Sequence, residues 1–133
     1  MKPSMFKGIL KSGLVAAALL AAVPAEAGGS FGVTITARNG EERRAISQFL
    51  RFYAAGSAAA QVIQKGEGNA AAVAQTGRGN RAVVAQQGDG HSATVTQTGR
   101  GNRLGVFQFG EGTSVDVAQS GRRGAALVFT GGW

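Results

Sequence analysis

The stretch Asn69-Ala70-Ala71-Ala72-Val73-Ala74-Gln75-Thr76-Gly77-Arg78-Gly79 is one full copy of a pattern, and Asn80 opens the next copy. The heptapeptide Gln75-Thr76-Gly77-Arg78-Gly79-Asn80-Arg81 returns unchanged 22 residues later as Gln97-Thr98-Gly99-Arg100-Gly101-Asn102-Arg103. Half that interval is the underlying period. Gln64, Gln75, Gln86, Gln97, Gln108 and Gln119 stand eleven residues apart. Two residues after each comes a glycine: Gly66, Gly77, Gly88, Gly99, Gly110 and Gly121. A second glycine follows at Gly68, Gly79, Gly90, Gly101 and Gly112, and fails only at Arg123. Val62, Val73, Val84, Val95, Val106 and Val117 precede the glutamines by two, and Val128 extends that column. A period this strict, without insertions, describes one small structural unit stacked on itself.

An eleven-residue period also suits a right-handed helical supercoil at about 3.67 residues per turn. The glycines argue against it. Each costs roughly 0.8–1 kcal/mol relative to alanine inside a helix, nearly every unit has two, and no heptad-like series of large apolar residues offsets them. Strands fit. Alternate positions of one unit give Asn69, Ala71, Val73 and Gln75, and the next gives Asn80, Ala82, Val84 and Gln86. His91, Ala93, Val95 and Gln97 follow, then Asn102, Leu104, Val106 and Gln108. The intervening positions vary freely, so the constrained face is expected inward and the variable face outward. Gly-x-Gly supplies the tight turn.

Two units make one coil of 22 residues, and the charges support this doubling. Glu67, Asp89 and Glu111 recur at 22 residues, as do Arg78, Arg100 and Arg122 in the alternate turns. The chain is therefore read as all-β: a β-solenoid of seven strand units over 58–133, roughly three and a half coils with cross-β stacking. A buried amide without partners costs on the order of 1–3 kcal/mol, and stacking removes that cost. Coils about 4.7–4.8 Å apart bring identical amides together, so the glutamines are expected to form one ladder. Asn69, Asn80 and Asn102 are expected to form a second. No proline follows Pro24, and the apolar last strand, Ala125 to Thr130, reads as an open end. An open solenoid end is complemented by another copy, head to tail, which gives a filament.

These residues resemble the curlin repeat of bacterial curli, whose pattern is a polar residue, five residues, Gln-x-Gly, two residues and Asn. Asn69, Gln75, Gly77 and Asn80 match it throughout; Gln64-x-Gly66-x2-Asn69 and Gln97-x-Gly99-x2-Asn102 match over the turn. The resemblance extends over 58–130. His91 and Thr113 stand in place of the opening asparagine, Ala58 and Gly124 where a polar residue is expected, and Thr130 in place of the last glutamine. The resemblance implies a subunit exported unfolded through an outer-membrane secretion channel. Outside the cell it would polymerise with itself and other curlin subunits into adhesive amyloid fibres of a biofilm.

Residues 1–27 read as a secretory signal: Lys2, Lys7 and Lys11, an apolar centre from Gly13 to Val23, and Ala25-Glu26-Ala27 as the cleavage site. Beyond it remain eleven basic and six acidic side chains and no cysteine, so disulfides are excluded. The segment 28–57 stands outside the repeat. Gly32 to Ala37 alternates like a strand and ends at Asn39-Gly40, a turn signal. From Glu41 to Tyr53, Ile46, Phe49, Leu50 and Tyr53 share a helical face. This helix is expected either to cover the first coil, to serve as a linker, or, by analogy, to be recognised by the secretion channel.

No catalytic, metal or cofactor site is expected. His91 is the single histidine and occupies a repeat column, and no cysteine accompanies it. Gly-Asp89-Gly lacks the nine-residue period of calcium-binding rolls. Arg81 and Arg103, beside the corner formed by Arg78, Arg100 and Arg122, are expected to form an outward basic stripe able to bind an anionic matrix polymer. The leading expectation is a secreted fibre subunit. Its rivals are a monomeric solenoid that binds such a polymer through the stripe, and a nucleator or accessory of another curlin.

Overall fold

A computed structural model of the chain describes residues 29–52 and 59–133. The signal and cleavage assignment, Tyr53 and Ala58 lie outside these residues. Along the chain run β1 (Ser30–Thr36), α1 (Gly40–Arg51), β2 (Ala60–Lys65), β3 (Ala70–Thr76), β4 (Arg81–Asp89), β5 (Ser92–Arg100), β6 (Arg103–Glu111), β7 (Ser114–Arg122) and β8 (Ala125–Gly132). The repeat strands alternate between two sheets. One has the order β1-β8-β6-β4-β2, and the other β3-β5-β7. Every repeat strand pairs in parallel with the strand 22 residues away, so Gln64 faces Gln86, Gln75 faces Gln97 and Val84 faces Val106. This is the parallel β-solenoid with 22 residues per coil that the periodicity predicts.

The turns follow the register. The first glycine of each turn has φ between 82° and 117°, and the second between 58° and 73°. Arg123 adopts φ 59° where the second glycine is missing. Between the sheets lies a core of alternate side chains: Ala82, Val84, Ala93, Val95, Leu104, Val106 and Val128, joined by Val73, Val115 and Val117. These are the constrained columns of the repeat, and they point inward.

The segment before the repeat sits differently from the expectation. β1 pairs antiparallel with β8, from Ser30 opposite Gly132 to Thr36 opposite Ala126, so the last strand is covered rather than open. α1 packs across β6 and β8, not across the first coil. The outward positions supply the reason. β2 presents Gln61, Ile63 and Lys65 there, whereas later strands present Val83, Phe107, Leu127 and Phe129. Ile46 and Leu50 of α1 bury themselves on that late apolar patch with Ile35 of β1. Phe107 stacks on Phe129 at 5.2 Å, and Phe49 meets Phe107 edge-on at 5.5 Å. A Cβ on Gly105 would stand 2.5 Å from Leu50 Cδ2, so this glycine admits the helix. Asn39, read as a turn residue, is the N-cap of α1; its side chain accepts from Glu42 N at 2.9 Å.

Candidate functional site: the stacked amides and the uncovered end

The inward glutamines of β2, β3, β4 and β5 reach from their strands toward the equivalent residue one coil on. In one sheet Gln64 Nε2 donates to Gln86 Oε1 at 2.7 Å, and Gln86 Nε2 to Gln108 Oε1 at 2.7 Å. In the other, Gln75 donates to Gln97 at 2.6 Å and Gln97 to Gln119 at 2.8 Å. The second N–H of Gln75, Gln86 and Gln97 goes to the backbone carbonyl of Ala59, Ala70 and Arg81 respectively, and Gln108 and Gln119 donate likewise to Ser92 O and Arg103 O. Gln86, Gln97 and Gln108 are at most 1% exposed, so these bonds replace water completely. The six residues thus form two series, one in each sheet, and both donate in the same direction along the stack.

The asparagines behave differently from the expected second ladder. Asn80 Oδ1 accepts from Asn102 N at 3.0 Å, and Asn80 Nδ2 donates to Gly99 O and Thr76 O, both at 3.1 Å. Asn102 repeats this with Gly124 N, Gly121 O and Thr98 O. Asn69 does so with His91 N and Gly88 O. They bind backbone, not one another. The strand-opening position adjoins the turns, whose glycine carbonyls and amides need partners away from the strand ladders.

His91 continues the Asn69 column with similar means. Its Nε2 faces Gln87 O at 3.0 Å, and its Nδ1 lies 3.2 Å from Thr113 N, which donates to it. Nδ1 also lies 2.8 Å from Thr113 Oγ1, so both ring nitrogens have polar partners. Nothing here leaves the ring available for chemistry, and among the described residues no group of side chains has a metal-binding arrangement.

The two ends of the stack are unlike. At the N-terminal end β2 and β3 are edge strands. Val62, in the inward column, is 43% exposed while Val84 below it is fully buried, so the core is open there. The side-chain carbonyl oxygens of Gln64 and Gln75 accept no bond among the described residues. At the opposite end β1 covers β8, and Gln108 turns its amide to Thr113 O and Oγ1, both at 3.0 Å, because Thr130 interrupts its column. β7 has no such cover. It is an edge strand, and Gln119 retains one N–H without an acceptor among the described residues.

The arginines divide into two columns. Arg100 faces Arg122 in the turn column that begins at Arg78, and Arg81 faces Arg103 at the start of β4 and β6. The second column does not form an open stripe. α1 lies over it and brings Arg43, Arg44 and Arg51 to the same cleft. Burial, then the positive charges of Arg43, Arg81 and Arg51, hold the Arg103 guanidinium below its ordinary value. The helix arginines escaped the sequence reading, although the Arg43-Arg44 pair and Arg51 two turns later were a visible signal.

Comparison with known families now joins this geometry. The family model described as "Curlin associated repeat" matches residues 59–88 and 80–110. Searches among curated proteins and among solved structures found no match.

Proposed function

We propose, from the premise that residues 59–110 are curlin associated repeats, that this protein is a secreted subunit of curli-like extracellular fibres, assembling through its own solenoid ends. The repeat family is structural rather than catalytic, and the core here is filled by stacked side chains. The observation that carries the reading is the complementarity of the two ends. Among the described residues, Gln75 offers an unpaired acceptor at the edge β3, and Gln119 an unpaired donor at the edge β7 of the same sheet. Because β8 and β1 extend the other sheet beyond β7, a second copy must displace them to dock one coil spacing from β7, where it continues both the backbone ladder and the amide series. Such a head-to-tail contact does not close, so it propagates.

The expected route is export through the periplasm and an outer-membrane channel, with fibres contributing to biofilm matrix and surface adhesion, alone or with other curlin subunits. The test is dye-monitored assembly of residues 28–133 diluted from denaturant, with fibre diffraction of the product. Seeded growth and a meridional spacing of about 4.7–4.8 Å are the expected results. A clear, monomeric, β-rich solution at high concentration would overturn the reading in favour of a monomeric solenoid. Growth only on fibres of another curlin would make the chain an accessory. Gln75→Ala with Gln97→Ala should slow assembly far more than Arg78→Ala with Arg100→Ala, and equal effects would remove the amide series as the cause.

A further inference from the structure

We propose that the cleft between α1 and the beginnings of β4 and β6 binds a compact, multiply charged phosphate-type oxyanion. The cleft measures about 280 Å³, and its walls include Arg43, Arg44, Arg51, Arg81, Arg103 and Ser47. No carboxylate lines it. Parallel register places Arg81 directly opposite Arg103, an arrangement that destabilises a sheet when both charges are alike. α1 then adds three further positive charges over the same spot. Solvated surface arginines spread apart; these converge.

The groups are also held in place. Arg43 Nε donates to Arg123 O at 2.9 Å and its Nη2 to Gly101 O at 3.1 Å. Arg103 Nη1 donates to Gly79 O. Each guanidinium has five N–H donors in a rigid fork, so both keep donors for a ligand after these anchoring bonds. The Ser47 hydroxyl, on the wall of the cleft, is out of solvent and has no hydrogen-bond partner among the described residues. A buried hydroxyl without a partner is costly, and a turn of the Ser47 side chain toward an oxyanion in the cleft would supply its acceptor. Planar forks suit phosphate oxygens, which accept two parallel bonds from one arginine. A single carboxylate would leave most of the charge uncompensated. Burial first, and then the neighbouring positive charges, depress the Arg103 value. The volume lies near the lower limit of small-molecule sites, about 300–1,000 Å³, so the occupant is a small anion and not a polymer strand. The inference concerns the folded subunit and holds whether or not that subunit polymerises.

Titration calorimetry on the freshly diluted full chain, before assembly begins and in about 150 mM salt to screen diffuse attraction, tests this with pyrophosphate and glucose 6-phosphate as probes. One-to-one binding of either is expected. Tighter pyrophosphate would identify a small inorganic diphosphate-type ligand, and tighter glucose 6-phosphate a phosphorylated saccharide. Arg51→Gln and Arg103→Gln should each weaken binding at least tenfold, and Ser47→Ala about threefold or more. Arg78→Gln with Arg100→Gln, outside the cleft, should leave it unchanged. Should Arg103→Gln lose the strand signal in circular dichroism, Arg51→Gln, at the exposed end of α1, decides alone. Absence of binding by both probes, or an equal loss from the Arg78/Arg100 pair, would overturn the proposal.

Discussion

Gly99 and Gly121 share a backbone conformation, φ 117° and 107°, but not a neighbourhood. A Cβ on Gly99 would stand 1.9 Å from Gly121 O, whereas one on Gly121 would meet nothing within 4 Å. Alanine is strained at either position, so the difference between them isolates the contact of coil on coil. Gly99→Ala is expected to destabilise the fold by at least about 2 kcal/mol more than Gly121→Ala, in the range of overpacking costs; denaturant unfolding of the two variants measures it. Arg123 tests the same column from the other side. It holds a left-handed conformation that costs a non-glycine residue about 1–2 kcal/mol. Arg123→Gly should therefore stabilise by up to about 1 kcal/mol, since glycine's greater freedom when unfolded returns part of the gain. A loss of stability would mean that the Arg123 side chain, which covers Gly101, contributes more than its backbone costs. The glycines and glutamines were readable because period alone assigns them. The asparagine bonds were not, because period shows that residues stack without showing whether side chain or turn backbone lies nearer.

At the scale of elements, α1 is fastened at both ends of its first turn. Glu42, 4% exposed, accepts from Arg38 N at 2.9 Å and meets the Arg38 guanidinium at 3.3 Å. The Arg38 backbone N–H, foremost, and then its guanidinium hold the Glu42 carboxyl below its ordinary value of 4.5, with burial opposing them. The folded form therefore binds this proton less readily than the unfolded chain. The resulting stability is present above about pH 4.5 and is lost as pH falls through the lowered folded value. Stability measured from pH 7 down to pH 3 should fall less steeply in Glu42→Gln than in the parent, and parallel curves would assign the acid sensitivity elsewhere. Leu50, fully buried against the late strands, should cost about 2–5 kcal/mol on truncation to alanine, read by thermal unfolding. The helix itself was legible from Ile46, Phe49 and Leu50, and β1 from its alternation. Their docking place was not. Reading the outward positions as freely variable hid Val83, Phe107, Leu127 and Phe129, which form a patch only once coils are stacked in register.

The whole molecule is polar, and its polarity separates folding from growth. Both glutamine series donate from the N-terminal coil toward the C-terminal one, so among the described residues one end has spare acceptors and the other, at β7, a spare donor. Along that direction the Cβ of Gly77 would meet Gly99 O, and that of Gly99 would meet Gly121 O. Once β8 and β1 give way to an added copy, the series predicts that the next obstacle beyond Gly121 is Gly77 O of that copy. A Gly121→Ala subunit should consequently keep its own coils together and still present an unaltered β2/β3 end. It can join a growing fibre by that end, but the methyl group it carries at β7 then stands where the following subunit must dock. The expected outcome is chain termination: a few percent of Gly121→Ala mixed with the parent chain should shorten fibres and lower their growth rate well beyond simple dilution. Gly112→Ala, also at positive φ with nothing within 4 Å of its Cβ, controls for backbone strain, since its column does not place a Cβ against a carbonyl one coil on. Seeded growth followed by dye fluorescence, with fibre lengths measured by electron microscopy, distinguishes the cases. Growth unaffected by Gly121→Ala would mean that copies do not stack through β7, and the head-to-tail contact would have to be abandoned.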